Sequence, residues 1–187
     1  MKQIRDEVSN CKKCNLYKYA KLPVVGQGSH NAKIMFVGEG PGANEDRTGI
    51  PFCGRAGDIL NELLGKVGIK RDDVYIANIV KHRPPGNRDP KPEEIAACVS
   101  YLDRQIDIIK PKVLCALGRF AAYYVMEKFG FLDKIEGISK MHGKTYKARA
   151  PHGDIVIIPL YHPAVVAYNI NMKDFLEKDF KILGKYK

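Results

Sequence analysis

The chain has 187 residues, a formal net charge of +10 at pH 7 and a sequence pI of about 9.3. No signal sequence opens it, and no apolar run approaches the roughly 18–20 residues that span a bilayer, so we expect a cytoplasmic protein without membrane contact. The basic surplus is compatible with a polyanionic partner, nucleic acid before membrane, or with lysines that only keep the surface soluble.

Apolar segments rich in β-branched residues alternate with helical periodicity along the chain. The predicted strands are Lys33–Gly38, Val74–Val80, Val113–Gly118 and Ile155–Leu160. The predicted helices are Arg55–Gly68, Pro92–Ile109, Gly118–Phe129 and Met172–Leu183. Strands that are apolar on both faces and alternate with helices are typical of a parallel sheet covered on both sides. We therefore expect one domain over residues 1–187, an α/β fold with a three-layer α/β/α sandwich around a four-stranded, mainly parallel sheet.

Three cysteines and one histidine form a pattern typical of a metal or iron–sulfur site. Cys11 and Cys14 are a C-x-x-C pair, and Cys98 lies in a predicted helix. His82 stands directly before a Pro/Gly-rich run. A structural zinc or an iron–sulfur cluster uses such ligands, two thiolates three residues apart with a nitrogen and a distant thiolate. The remaining cysteines are expected to be small apolar residues: Cys53 and Cys115.

The loop after the first predicted strand offers two interpretations. Its start matches the dinucleotide fingerprint G-x-G-x-x-A, but that fingerprint needs a helix at once, and the helical pattern resumes only near Arg55. A dinucleotide site is therefore not favoured. The loop instead supplies Glu39, Glu45 and Phe52, with Gly40 among the glycines that let a ligand approach the backbone. A solvated acidic turn with Phe52 in the core is the alternative.

Asn78 and His162 lie in or just after two other predicted strands. Asn78 interrupts an apolar run, so its amide either bridges two parts of the structure or reads the hydrogen-bonding edge of a ligand. His162 follows its strand in the sequence H-P-A. Ligands of open α/β sheets bind at the carboxyl ends of the strands, so we expect both side chains at one crevice.

The motifs G-E-G-P-G-A-N-E-D, G-I-P-F, R-P-P-G-N-R-D-P and H-P-A occur in this order over almost the whole chain. They resemble those of the family 4 uracil-DNA glycosylases, the iron–sulfur branch of the uracil-DNA glycosylase superfamily. The resemblance implies a monofunctional DNA repair enzyme that flips uracil out of DNA and hydrolyses its N-glycosidic bond, leaving an abasic site.

The resemblance also implies a role for each residue of the crevice. By position, Phe52 would stack on the extruded uracil and Asn78 would pair with its O4 and N3 edge. Glu39 would help to exclude the methyl group of thymine. Glu45 would orient or activate water, and His162 would stabilise negative charge on O2 of the departing base.

Residues beside these motifs are the expected DNA contacts. Four basic residues would contact phosphates: Lys81, Arg83, Arg88 and Lys91. The stretch that begins at Val165 and ends at Tyr168 would enter the groove, where an apolar side chain would fill the vacated stack. Phosphate contacts make binding weaken steeply with salt. The expected partner is uracil-containing DNA, bound by a monomer.

The cysteine pattern departs from the family at one position. In the family four cysteines hold the cluster; Cys11, Cys14 and Cys98 match three of them, and His82 occupies the fourth position. We expect a [4Fe–4S] cluster with three cysteines and one histidine as ligands. Zinc on the same side chains and a weakened cluster are the alternatives. The bound group would pin the N-terminal segment and the loop after His82 against the domain.

Two other functions stay open from the sequence. A non-catalytic or covalent uracil-DNA-binding protein of the same superfamily would share the crevice motifs, although the presence of both Glu45 and His162 favours turnover. A nucleotide-binding α/β protein with a structural zinc would share the strand ends and the cysteines.

Overall fold

The computed structural model describes residues 1–186 and contains one mixed sheet with helices packed against it. Its strands are β1 Gln27–Gly28, β2 Ile34–Gly38, β3 Tyr75–Asn78, β4 Val113–Leu117, β5 Tyr146–Ala150 and β6 Gly153–Leu160. Its helices are α1 Lys2–Ser9, α2 Ala43–Thr48, α3 Arg55–Lys66, α4 Pro92–Ile109, α5 Arg119–Lys128, α6 Ile138–Met141, α7 Val165–Tyr168 and α8 Met172–Phe180. Within residues 1–186, no helix is long and apolar enough to cross a membrane.

The strand order is β1-β3-β2-β4-β6-β5. The four inner strands are parallel to their neighbours, and the two edge strands are antiparallel. The predicted α/β fold with a mainly parallel sheet is confirmed, and the predicted strands are these inner four. The sheet has six strands rather than the predicted four. The sequence pattern does not predict the two edge strands, because β1 has only two residues and β5 alternates half-buried and exposed residues instead of forming an apolar run.

Two hydrophobic cores cover the two faces of the sheet. Along β2, Met35 and Val37 belong to the core with α4 and α5, whereas Ile34 and Phe36 belong to the core with α3 and α8. This division follows from the strand pleat, which sends successive side chains to opposite faces. Each large apolar side chain that is buried in this way contributes about 1.5–3 kcal/mol. The paired cores confirm the expected three layers.

A third, smaller core attaches the N-terminal segment. It gathers Ile4 and Val8 of α1 and Leu16 against Val80 and residues of α4. The Arg104 guanidinium of α4 also forms a two-bond pair with the Glu7 carboxylate of α1. The segment that carries the first two cysteines is therefore packed on the same helix that carries the third.

The loop after β2 differs from its predicted form. The sequence pattern places no helix before Arg55, but α2 begins at Ala43, directly after Gly42. Its six residues are too few to show helical periodicity, and its first turn contains Glu45 and Asp46, which are favourable at the positive end of a helix. Glu45 therefore lies in a helix and not in an irregular loop.

Candidate active site and cysteine site

A pocket of about 360 Å³, which we call the strand-end pocket, opens where β2, β3 and β6 end. The register of β2 and β3 pairs Gly38 with Asn78, so both strands finish at the same edge. The chain leaves β6 at Leu160, two residues before His162. The structure brings six predicted site residues around this pocket: Glu39, Gly40, Glu45, Phe52, Asn78 and His162.

The amide of Asn78 has an unused acceptor in this pocket. The side chain is 1% exposed, and its Oδ1 has no hydrogen-bond partner among residues 1–186. A Cβ on Gly38 would lie 2.4 Å from this oxygen and 2.8 Å from Cε2 of Phe52, so only glycine lets the amide and the ring approach the strand. Buried polar atoms are rarely left unpaired. The oxygen is thus placed to accept a hydrogen bond from a ligand.

Phe52 is held in a strained conformation beside this amide. Its φ of 51° is unusual for a bulky residue. A Cβ on Gly57 would lie 1.8 Å from the Phe52 carbonyl oxygen, which shows how closely α3 packs against the loop. The Phe52 ring lies 5.4 Å from the His162 ring at an angle of 32°. Strain of this kind persists where surrounding packing imposes it, often at functional sites.

His162 is neutral at physiological pH with its proton on Nε2. Burial lowers its pKa to about 4. The backbone N–H of Ala164 donates a hydrogen bond of 3.2 Å to Nδ1, so Nδ1 carries the lone pair. The remaining ring nitrogen, Nε2, is therefore an N–H donor for a group in the pocket. The turn that follows β6 supplies this arrangement locally, since the donor is only two residues away from the ring.

Two carboxylates complete the polar wall. Glu39 follows β2 directly and is partly buried; burial raises its pKa, the charge of Asp89 adds to this effect, and Arg119 opposes it. Glu45 lies in the first turn of α2 and also lines the pocket. The pocket thus combines an aromatic ring, an amide, a neutral imidazole and two carboxylates.

Of the four predicted phosphate contacts, three remain candidates and one is buried. Lys91 is exposed and Arg88 lines the pocket, but Arg88 also makes bonds of 2.9 and 2.6 Å to the Glu94 carboxylate. Arg83 donates to Asn87 Oδ1 at 2.7 Å. The prediction for Lys81 is wrong, because this side chain is buried and cannot reach a phosphate.

The stretch after H-P-A forms α7 and rises from the pocket rim. Val165 is half-buried, and Val166 packs into the core with α3 and α8. Tyr168 is 91% exposed. The helix follows Ala164, which lines the pocket, so this exposed aromatic residue lies four residues along the chain from the pocket wall. In the sequence, the exposure of Tyr168 is indicated only by its position four residues after the H-P-A motif.

Three polar residues of the pocket wall were not predicted from the sequence. They are Asn44, Arg55 and Asn87. Asn44 lies inside the motif G-E-G-P-G-A-N-E-D and could have been found there. Asn87 likewise lies inside the motif R-P-P-G-N-R-D-P. Arg55 comes from the start of α3, and its approach to the pocket depends on the tertiary fold.

The cysteine site comprises Cys11, Cys14, His82 and Cys98. Its three cysteines pack in the N-terminal core. Cys11 and the buried His82 line a cavity of about 200 Å³. Within residues 1–186, no three His, Cys, Asp or Glu side chains converge closely enough to be recognised as a single-ion site. Of the predicted ligands, Cys11 and His82 thus line this cavity, whereas Cys14 and Cys98 are placed by the N-terminal core.

The donor set of this site fits an iron–sulfur cluster or a structural metal. Three thiols and one imidazole are the side chains that both groups use. The backbone N–H of Lys81 donates a hydrogen bond of 3.3 Å to Cys98 Sγ, and such bonds to sulfur are a regular feature of iron–sulfur sites. All three thiols are free of disulfides.

The other two cysteines differ from each other. Cys115 is buried in β4, as expected. The expectation for Cys53 is wrong, since this residue is exposed and its Sγ lies 3.1 Å from Thr48 Oγ1. Its neighbour Phe52 takes the buried place, and the backbone turn at Phe52 directs Cys53 outward.

Comparison with known proteins identifies related glycosylases. Residues 25–183 match the family model described as the uracil DNA glycosylase superfamily. The type-4 uracil-DNA glycosylase of Sulfurisphaera tokodaii is 47% identical over 182 residues, 97% of this chain and 82% of that protein. The type-4 enzyme of Archaeoglobus fulgidus is 44% identical over 96% of this chain and 89% of its own length. A type-5 uracil-DNA glycosylase of Pyrobaculum aerophilum is 30% identical over 88% of this chain and 76% of its own length.

Proposed function

The chain belongs to the uracil-DNA glycosylase superfamily, and we propose that its strand-end pocket binds a uracil flipped out of DNA and releases it by hydrolysis. The protein is a DNA repair glycosylase, an N-glycosyl hydrolase of the kind named in its type-4 relatives. The observation that carries the assignment of the pocket is the buried, unpaired Oδ1 of Asn78.

Asn78 reads the edge of uracil that distinguishes it from cytosine. Its Oδ1 accepts the N3–H of uracil, and its Nδ2 donates to O4. Cytosine presents an unprotonated N3 and an amino donor at these two places, so both atoms of the buried amide would be left unpaired. Sites built on buried hydrogen bonds reject such a mismatch strongly. Phe52 supplies the face on which the extruded base stacks.

Glu39 contributes to the exclusion of thymine. It directly follows β2 and lines the wall of the pocket next to Gly40. A 5-methyl group on the base would have to displace or desolvate this partly buried carboxylate, which is costly for a charged group. Uracil carries hydrogen at that position and meets no such penalty.

His162 stabilises the departing base. As the bond between C1′ and N1 breaks, its electron pair moves onto the base and develops negative charge at O2. The neutral imidazole donates from Nε2 to this oxygen, because its Nδ1 already accepts from Ala164. A donor aimed at charge that develops in the transition state contributes a factor of roughly 10²–10³ in rate.

Glu45 acts on the sugar side. Its carboxylate stabilises the positive charge that develops on the deoxyribose and orients a water molecule. The water oxygen forms the new bond to C1′, its proton passes to the carboxylate, and the uracil anion takes a proton from solvent after release. The bound DNA is held by the basic rim residues Arg83, Arg88 and Lys91, while Tyr168 fills the space that the base leaves in the stack.

We further propose that the cysteine site holds a [4Fe–4S] cluster through Cys11, Cys14, His82 and Cys98, with zinc as the alternative occupant. When bound, the group cross-links the N-terminal segment to α4 and to the loop that follows β3. All chemistry on the nucleotide is assigned to the strand-end pocket.

Uracil excision from a labelled oligonucleotide tests the proposal. Matched strands carry uracil, cytosine or thymine at one position, and the products are separated on a denaturing gel with and without alkali. We expect a shortened strand from the uracil substrate alone and only after alkali. An intact strand would contradict the proposal, and a slow-moving protein–DNA adduct would assign the pocket to trapping instead.

A further inference from the structure

A buried lysine lies between the cysteine site and the strand-end pocket. Lys81 is 1% exposed, although it carries a long charged side chain. Its Nζ donates a hydrogen bond of 2.9 Å to the backbone carbonyl of Asn78. Its own backbone N–H donates the bond of 3.3 Å to Cys98 Sγ. One residue therefore contacts the uracil-reading strand end with its side chain and a cysteine ligand with its backbone.

Gln105 of α4 fixes the end of this lysine. The Gln105 Oε1 accepts from Lys81 Nζ at 2.8 Å. Its Nε2 donates to the Val25 carbonyl at 2.8 Å and to the Tyr75 hydroxyl at 3.2 Å, so the amide orientation is determined on both sides. Gln105 is completely buried. The ammonium group is consequently held in one place by β3 and by α4.

The charge of Lys81 needs a counter-charge nearby. Both acceptors of its ammonium group are neutral, and within residues 1–186 it forms no ion pair with a carboxylate. Burying an unpaired cation is costly. Three thiolates and one neutral imidazole around either a [4Fe–4S]²⁺ cluster or a zinc ion carry one net negative charge, which a single ammonium group balances.

We propose that Lys81 is a positioning residue that couples the cysteine site to uracil recognition. Its backbone holds Cys98, and its ammonium group holds the Asn78 carbonyl and so sets the position of the amide that reads the base. This inference rests on the proposed function of the strand-end pocket. It assigns to Lys81 an effect on base recognition and on retention of the bound group, without contact with DNA.

The test compares Lys81→Met with a control, Lys70→Met. Lys70 is exposed and precedes β3 at the end of the sheet opposite to the pocket. Methionine keeps the length of the apolar stem and removes the charge and the donors. Each protein is titrated with two DNA duplexes, one with a non-cleavable 2′-fluoro-deoxyuridine and one with a tetrahydrofuran abasic analogue. The visible absorbance and the iron and zinc contents are measured on the same samples.

We expect Lys81→Met to lose about tenfold of the preference for the uracil analogue over the abasic analogue, the loss that corresponds to one charge-assisted hydrogen bond. Its bound metal should dissociate faster in the presence of a chelator, and affinity for the abasic duplex should stay within twofold of the control. Equal losses on both duplexes, or an unchanged preference, would overturn the proposal. Failure of the wild type to prefer uracil would instead count against the proposed function.

A second variant covers the case in which Lys81→Met does not fold. Gln105→Met removes one acceptor of the ammonium group and leaves its bond to the Asn78 carbonyl. We expect a smaller shift in the same direction, a two- to fourfold loss of uracil preference, because the bond from the ammonium group to the Asn78 carbonyl remains. A folded Gln105→Met protein with the wild-type preference and metal retention would refute the coupling.

Discussion

The strand-end pocket and the cysteine site are built in opposite ways, although they meet at the segment from Asn78 to His82. The pocket residues are positioned by backbone. The parallel register brings β2 and β3 to one edge, Gly38 leaves room for the amide, and α3 presses Phe52 into a left-handed turn. The ligands of the cysteine site come from three separate segments that contact one another through a small apolar core.

This difference indicates that the strand-end pocket determines the chemistry of the protein and that the cysteine site contributes to its stability. The pocket is arranged before any ligand arrives, as electrostatic catalysis requires. With the proposed cluster or metal bound, the cysteine site would gain its cohesion from that group, as small metal sites do. Substitutions in the first region should therefore change rate with little effect on stability, and substitutions in the second should do the reverse.

The largest effect is expected from Asn78→Ala, which removes recognition from the pocket. Excision of uracil should fall by about 10³-fold, because the buried amide supplies both hydrogen bonds to the base. Affinity for a duplex with an abasic analogue should remain within twofold of the wild type. The measurement is single-turnover excision together with fluorescence anisotropy. Parallel losses in rate and in abasic-site affinity would remove Asn78 from its assigned role.

The next largest effect is expected from His162→Gln. The amide of glutamine is a weaker and less well placed donor, so the excision rate should fall by about 10²-fold. The Michaelis constant should change little, since the bond forms as charge develops on the base. Steady-state kinetics on a uracil duplex measure both quantities. A raised Michaelis constant with an unchanged turnover number would indicate a binding role instead.

In the cysteine site, Cys14→Ser should destabilise the protein and remove its visible absorbance. Loss of a ligand that pins the N-terminal segment should lower the midpoint of thermal unfolding by about 10 °C, which corresponds to several kcal/mol for a chain of this size. The control is Cys53→Ser, because Cys53 is exposed and lies outside the site. If both variants keep the wild-type spectrum and midpoint, the cysteine site binds no metal or cluster.

The stability of the pocket region should depend on pH through His162. Its pKa of about 4 in the folded protein lies below the ordinary value of 6.5. Between these pH values the unfolded chain takes up a proton that the folded protein does not, so stability present above pH 6.5 is lost as the pH falls toward 4. The loss is on the order of 3 kcal/mol. Urea unfolding of the wild type and of His162→Gln at pH 7 and pH 4 should show this extra loss in the wild type alone.

The smallest effect is expected from Tyr168→Ala on the rim. In the role proposed for Tyr168 its ring enters the base stack only when DNA is bound, so the variant should keep its fold and its activity on short single strands. Affinity for duplex DNA with a uracil analogue should fall by about tenfold, the worth of one stacked aromatic. Replacement by phenylalanine should restore it. An equal loss of affinity for single-stranded and double-stranded DNA would argue against insertion of Tyr168 into the base stack.

Much of the strand-end pocket could be predicted because parallel strands deliver their last residues to one edge. Asn78 and His162 needed only the rule that ligands bind at the carboxyl ends of such strands. The strained turn at Phe52 could not be predicted, since it results from the packing of α3 against the loop.

The roles of the charged residues were harder to predict, because the sequence does not show which groups a charged side chain contacts. From the sequence, Lys81 is expected at the surface, but in the structure its Nζ is buried against Gln105 and the Asn78 carbonyl. Arg88 is predicted as a phosphate contact, but the structure places it in the pocket wall, and its pairing with Glu94 depends on how the loop meets α4. The edge strands β1 and β5 were not predicted from the sequence, because neither forms an apolar run.

Single-turnover uracil excision and iron content, measured on the same preparations of wild type, Asn78→Ala and Cys14→Ser, test most directly whether chemistry and stability are divided between the two sites. We predict excision and iron in the wild type, iron without excision in Asn78→Ala, and loss of iron with a lowered unfolding midpoint in Cys14→Ser. Excision that survives in Asn78→Ala would contradict the assignment of recognition to the strand-end pocket.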